Sequence, residues 1–429
     1  MSNFQQPAPL DEVEPSAPRR TQFTTFASLK NRHYRWFWLG MFASFMGTQL
    51  ELVARNWWVY DNTGEAFQVG IVVAAWGLPV LLLSMYGGAI ADRIRKRNLL
   101  IWTQVANGII TLVIAILIQT NTVELWQLIL TAGIEGVIFA IHVPARLAII
   151  PELVRQEEVL NAVALNSASM NLSRFLGFAI GGLLLAVIGV SGVYFIVVFA
   201  SFLSAVLLIS IPRAERVARQ VTTSLWADLK ECLRYIHHNS VMRSLLLMAF
   251  VSMAFGLPYL NLMPVFAKDI FNVGEPGLGY LLGAAGLGSL IGALIIASLG
   301  DYRRKGALSL ITATAFGISL VLFAVSTSGT FYLFSYPFAL ALLFVVGLIG
   351  TAYLALNNTL IQNNAPHEML GRVMSVYVMT YALMPVGTLP LGKITDIVGA
   401  PLAIGGGGLV IVLFTLGAAV LLPRLRRLE

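Results

Sequence analysis

Cys232 is the only cysteine in this 429-residue chain, so neither an intrachain disulfide nor a cysteine-built metal site can form. Charge is scarce as well. Asp, Glu, Lys and Arg make up 11% of the residues, where an ordinary soluble protein carries about 25%. There is no nucleophile elbow, no phosphate-binding glycine loop closed by Lys-Ser/Thr, and no His/Cys/Asp/Glu cluster at metal-ligand spacing. These absences speak against an enzyme and give no cofactor to expect. The first thirty residues are polar, with Asp11, Glu12 and Glu14 ahead of Arg19 and Arg20. No apolar run follows a basic start there, which reads as a disordered tail rather than a signal peptide.

What the chain has instead is apolar sequence, 57% of its residues. A membrane crossing needs about 20 apolar residues. Twelve stretches qualify, near 36–60, 67–90, 99–118, 125–146, 161–188, 193–211, 244–266, 278–299, 308–325, 332–360, 373–397 and 402–422. The net charge of +7 invites a nucleic-acid reading. The lysines and arginines, however, fall in the short loops on one side of the crossings, as the positive-inside rule requires. The 1–2, 3–4, 5–6 and 9–10 loops hold none, and Lys268 in the 7–8 loop is the main exception. This alternation puts both termini in the cytoplasm, and Trp57, Trp58 and Tyr60 form an aromatic belt at the outer end of the first crossing. Between the sixth and seventh crossings, Leu225, Leu229, Cys232 and Ile236 recur at helical spacing among charges. They predict an amphipathic helix on the membrane surface.

The segment 87–97, Gly-Gly-Ala-Ile-Ala-Asp-Arg-Ile-Arg-Lys-Arg, reads as a charged hinge. The second apolar helix ends at its glycine pair, and Leu99 opens the third. A weaker copy, Gly300-Asp301-Tyr302-Arg303-Arg304-Lys305-Gly306, follows the eighth crossing, with Asp301 placed 209 residues after Asp92. Independently, 158–163 aligns with 368–373 at an offset of 210, and Gly177 and Gly182 fall opposite Gly387 and Gly392 at that offset. Two motifs whose spacings differ by a single residue argue for a duplicated six-crossing unit in parallel orientation. The expected organisation is a disordered cytoplasmic tail (1–30), an N-terminal six-helix bundle (31–211), a cytoplasmic linker with the amphipathic helix (212–241), a C-terminal six-helix bundle (242–423) and a cytoplasmic tail (424–429).

These residues resemble the major facilitator superfamily. The hinge is similar to its loop signature at Gly88, Asp92, Arg93 and the basic run Arg95, Lys96, Arg97, and the degenerate second copy is also typical. The stretch from Pro144-Ala145-Arg146 through Pro151-Glu152-Leu153, and that from Asn358 to Arg372, resemble the subgroup of bacterial siderophore exporters and drug-efflux proteins. The resemblance covers nearly the whole chain after residue 30. It implies an all-α integral-membrane fold of twelve transmembrane helices in two pseudo-symmetric bundles. It also implies proton-coupled antiport that exports hydrophobic or amphipathic small molecules by alternating access. In that superfamily the hinge latches the halves together on the cytoplasmic side, so Gly88, Asp92, Arg93 and Arg97 are the expected conformational-switch residues. Asp92 can accept hydrogen bonds from helix N-terminal amides. One departure weakens the antiport implication. Exporters often carry Gly-Pro-x-x-Gly-Gly in the fifth crossing, and here the sequence is Gly177-Phe178-Ala179-Ile180-Gly181-Gly182. The glycines still allow close helix approach, but the proline is missing.

Within the crossings, ionisable residues are few, and each is costly enough to be a functional candidate. Glu51 and Arg55 share a face of the first helix, with Arg55 close enough to the outer interface to snorkel there. Glu135 and Arg174 lie at similar depth on sequential antiparallel helices, where an ion pair can form if their faces meet. Glu51, Glu135, Arg55 and Arg174 are therefore the proton-coupling candidates, and His142 is a candidate relay. Asn171, Tyr259, Asn261, Asn357 and Asn358 are the polar candidates for a mostly neutral substrate cavity. The expected partners are a small-molecule substrate and the bilayer, with no nucleic acid, for a monomer in the inner (cytoplasmic) membrane driven by the proton gradient. Two alternatives stay open: a proton-independent facilitator or lipid or metabolite carrier, and a non-transporting membrane sensor or binding protein.

Overall fold

The computed structural model describes residues 27–212, 225–299, 304–328, 336–366 and 369–428, and all regular structure among them is helical. The helices before the connector are α1 (Arg32–Thr63), α2 (Ala66–Arg93), α3 (Lys96–Gln119), α4 (Leu125–Leu153) and α5 (Val159–Ile209). The connector holds α6 (Leu225–His238). After it come α7 (Ser240–Val251), α8 (Tyr259–Val265), α9 (Gly274–Ser298), α10 (Lys305–Thr327), α11 (Tyr336–Asn364), α12 (Leu370–Ala382), α13 (Met384–Val398) and α14 (Ala400–Leu421).

Among the described residues, ten helical segments are long and apolar enough to cross a membrane. α7 and α8 belong to one of them, Ser240–Ile270, which is interrupted by two single π-helical turns. The first helix is not among the ten, because Gln49, Glu51, Arg55 and Asn56 dilute its hydropathy, yet its 32 residues span about 48 Å. α5 has 51 residues, about 76 Å if straight, more than twice a hydrocarbon core of about 30 Å. It is not straight. Gly189 takes φ 68 and ψ 178, a conformation open to glycine, and turns the chain between the arms 159–188 and 190–209. The outer surface is apolar: Val187, Trp102 and Leu402 are 81%, 68% and 65% exposed. Only lipid makes such a surface favourable.

α5 packs along α1 and α3, α2 along α4, α9 along α11, and α10 along α14 and α11. The helices before and after the connector meet chiefly where α5 lies on α9 and α2 on α13. Glycines make these approaches close. A Cβ on Gly182 of α5 would fall on the backbone of Gly279 in α9, and one on Gly392 of α13 would meet the backbone of Ala66 and Phe67 in α2. The first and last described segments lie on one face. Asn31 caps α1 and donates to the Leu153 carbonyl at 2.7 Å, and the 3-10 turn after α14 packs on α10, with Gly306 N–H donating to the Leu428 carbonyl at 3.0 Å. The opposite end of the bundle is called the far face below.

Three sequence expectations are corrected. α2 does not end at the glycine pair but continues through it to Arg93, where Ile94 leaves helical geometry. The tail is not disordered to residue 30, because Ala27–Lys30 forms a 3-10 turn whose buried Ser28 donates to Asn161 Oδ1 at 2.8 Å. The C-terminal segment is likewise docked, with Leu425 2% exposed. The helix α6 exists, but its apolar side is not laid into lipid. Cys232 and Ile236 are buried in a cluster with Met242, Leu246 and Tyr377, and Glu231 pairs with Arg372 of α12 at 2.7 Å. The second hinge copy at 300–303, Glu368 of the second motif and the tail before residue 27 lie outside the described residues. For Gly88, Asp92 and Arg93 only the backbone, in the last turns of α2, is described.

Candidate functional site

On α1, Glu51 and Arg55 sit about 18 Å and 12 Å from the far end of the helix, at 1.5 Å per residue. They are only 5% and 8% exposed. Arg55 Nη1 donates to Glu135 Oε2 at 2.6 Å, and Glu51 Oε1 lies 4.0 Å from the same nitrogen. Glu51 and Glu135 thus approach the same guanidinium. Tyr194, on the second arm of α5, lies within electrostatic reach of all three, and its buried hydroxyl has no hydrogen-bond partner among the described residues. Local sequence explains the meeting. Gly136, next to Glu135, lies against the Trp76 carbonyl of α2 where a Cβ would collide, so α4 comes in close. Gly177 and Gly181 bring α5 against Gln49 and Val53 on α1.

The cluster has an electrostatic consequence. Two carboxylates facing one guanidinium leave one negative charge over. An unmatched charge in the bilayer centre costs at least about 2.5 kcal/mol. A single proton shared by the two carboxyl groups cancels it.

Arg174 is not part of this cluster. The expected Glu135–Arg174 pair does not form, because α4 packs on α2 and α3 while α5 turns its Arg174 face toward α9. Arg55 takes Glu135 instead and is buried there rather than snorkelling outward. Arg174 lines a small pocket of about 20 Å³ between the two halves. Its walls include Tyr259, Leu260, Ser289, Phe316 and Thr351 from the second half. Tyr259 therefore lies at this pocket, within electrostatic reach of Arg174. Asn261 is not in the pocket lining; it accepts across the halves from Asn56 Nδ2 at 3.0 Å.

The other polar candidates are elsewhere. Asn171 donates to the Ser167 carbonyl within its own helix at 3.0 Å. Asn357 is fully buried and donates to the Leu245 carbonyl at 3.1 Å, so it secures α11 to α7 and does not line the pocket. Asn358 accepts from Gln362 one turn on. His142 shares a hydrogen bond with Thr103 at 2.9 Å. In the hinge, Arg97 donates to the Leu208 and Ile209 carbonyls at the end of α5, at 3.3 and 2.6 Å.

Sequence reasoning missed a polar seal on the far face. Asp396 of α13 accepts from the Ala66 and Phe67 N–H groups at 2.7 and 3.0 Å, capping α2 across the halves. Lys268 reaches Asp61 Oδ1 at 2.6 Å and the Asp61 carbonyl at 3.0 Å. Tyr60 donates to Asp269. The lysine that broke the loop-charge pattern is thus a cross-half partner. Tyr194 was missed too. Its signal was faint: a tyrosine five residues beyond a glycine at a far-face turn.

An all-helical bundle wrapped in apolar side chains, with charges buried between crossings and a pocket between its halves, defines a membrane transporter. Residues 23–429 match the family model described as "Transmembrane secretion effector", and the chain belongs to that family, within the major facilitator superfamily. It is similar to the "Staphyloferrin A transporter" of Staphylococcus aureus (strain NCTC 8325 / PS 47), 26% identical over 85% of this chain and 90% of the relative. It is also similar to the "Multidrug efflux pump Tap" of Mycolicibacterium fortuitum, 27% identical over 89% and 94%. In fold it matches a solved POT family transporter in complex with a thioalcohol-conjugated peptide, with a TM-score of 0.75 at 15% identity over 92% of this chain and 96% of that one.

Proposed function

We propose that this chain is a proton-coupled antiporter that exports amphipathic small molecules of drug or siderophore type. In this reading twelve helices form two six-helix halves, at 31–211 and 242–423. The first helix, α1, and the second arm of α5 supply the two crossings that the count of ten omits. Both termini face the cytoplasm of the inner membrane, and one chain is the working unit. The two relatives, a siderophore transporter and a drug pump by name, support the substrate class for this chain. The sealed far face corresponds to the inward-facing stage of alternating access.

One observation carries the coupling: Glu51 and Glu135 share Arg55. In one conformation the two acids hold a proton between them. A movement of α1 against α4 that parts Glu135 from Arg55 changes the local charge balance and releases or recaptures that proton. Tyr194, whose buried hydroxyl has no hydrogen-bond partner among the described residues, is a candidate to receive a displaced carboxyl. Proteoliposomes with an imposed pH gradient test the reading. Glu51→Gln or Glu135→Gln should abolish gradient-driven accumulation of a transported dye while leaving the folded protein intact. Full gradient-driven transport by both neutral variants would remove the coupling and favour a proton-independent carrier.

A further inference from the structure

The Arg174 pocket and the acid cluster divide the buried charges unequally. Within the described membrane-crossing parts of α1 to α5, the acids Glu51 and Glu135 are both committed to Arg55. Arg174 has no carboxylate within ion-pair distance among the described residues, and its side chain is half-buried rather than free in water. A second guanidinium, Arg146 of α4, is 6% exposed and has no carboxylate partner among the described residues. It lies 4.7 Å from the Phe45 ring, and its Nε has no hydrogen-bond partner there. At 1.5 Å per residue, Arg146 is about 10 Å and Arg174 about 22 Å along their helices from the termini face.

Arg174 is also the only ionisable side chain other than Tyr259 that lines its pocket, and the other walls are apolar or carry hydroxyls. A guanidinium presents five donors in a planar fork matched to carboxylate, phosphate and sulfonate oxygens. Held in a low-dielectric pocket with no internal acid, it rewards an anion far more than it would in water. A structural arginine would be expected to bond a carboxylate or backbone carbonyls, as Arg55 and Arg97 do.

We propose that Arg174 is the anchor for an anionic group of the substrate, so that the exported molecule is an amphipathic anion whose apolar body lies against Leu260, Phe316 and Leu354. This assignment rests on the small-molecule transport reading above and takes Arg174 out of the proton machinery.

The test compares two dyes on one xanthene skeleton: fluorescein, an anion at neutral pH, and tetramethylrhodamine methyl ester, a cation. Binding of each to the full-length protein in detergent micelles is followed by fluorescence polarisation. The native protein should prefer fluorescein. Arg174→Gln should lower that preference about tenfold, and Arg174→Lys, which keeps the charge but loses the fork, should retain part of it. Size-exclusion profiles matching the native protein establish that the variants are folded, and the lysine variant reports on the site if the glutamine variant is not. Equal affinity for the two dyes, or an undiminished preference in Arg174→Gln, overturns the anion assignment alone. Binding of neither dye at millimolar concentration overturns the small-molecule reading and this assignment with it.

Discussion

Asp396→Ala should loosen the far-face seal by an amount that the geometry sets. Asp396 accepts from two consecutive N–H groups at the start of α2, at 2.7 and 3.0 Å. Those donors have no partner within their own helix. Loss of an N-cap carboxylate costs about 1 kcal/mol, and its interaction with the helix terminus adds about 0.3–1 kcal/mol. Asp396 is exposed, so water takes over part of the bonding and the lower end applies. A net change of about 1.4 kcal/mol multiplies the far-face-open population roughly tenfold. Spin labels at Thr120→Cys and Leu402→Cys, one on each half at the far face, report this by pulsed electron–electron resonance. Cys232 interferes little. It is 1% exposed, and burial raises its thiol above the usual cysteine range, so little reactive thiolate exists at neutral pH. The native protein should give a dominant short distance, Asp396→Ala a larger long-distance fraction, and Asp396→Asn a value between. An unchanged distribution in Asp396→Ala would refute the idea that this cap contributes to closure.

Three further expectations follow from the same contacts. Arg55→Ala strands two buried carboxyls and should lower the melting temperature in detergent by the equivalent of about 3–5 kcal/mol, whereas adding Glu135→Gln to it should recover part of the loss; equal melting of Arg55→Ala and native protein would contradict the buried pairing. Gly182→Val places a side chain on the Gly279 backbone and should prevent far-face closure and stop transport, while Gly417→Val, where nothing lies within 4 Å, should not; normal transport by Gly182→Val would show that α5 and α9 need not meet. Asp92→Asn in the hinge should slow conformational switching without changing dye preference, and more than Asp301→Asn does; unaltered switching kinetics would leave the hinge as a topology signal.

The repeat was legible because it depends on glycine, whose role is local. Gly177 and Gly387 were paired by spacing alone, and each lies at a close helix contact, on Gln49 and on Ala254. Gly182 and Gly392, paired by the same offset, both lie at cross-half contacts. Spacing cannot say what a glycine faces, but it finds positions where a side chain has no room. The polar asparagines were harder to read. Asn357 and Tyr259 are equally polar in sequence, and only helix rotation sends one into α7 and the other to the pocket.

By itself the sequence determined the apolar character of the chain, the approximate position of its crossings, the doubled pattern and the scarcity of buried charge. These depend on composition and on spacing along one strand of chain. Only the tertiary structure decided that Glu135 joins Arg55 rather than Arg174, that Arg174 faces a pocket between the halves, and that Asp396 and Lys268 seal the far face. Depth along a helix follows from counting residues at a fixed rise. The direction in which a side chain points depends on which neighbour its helix packs against, and that choice is made by contacts far apart in sequence.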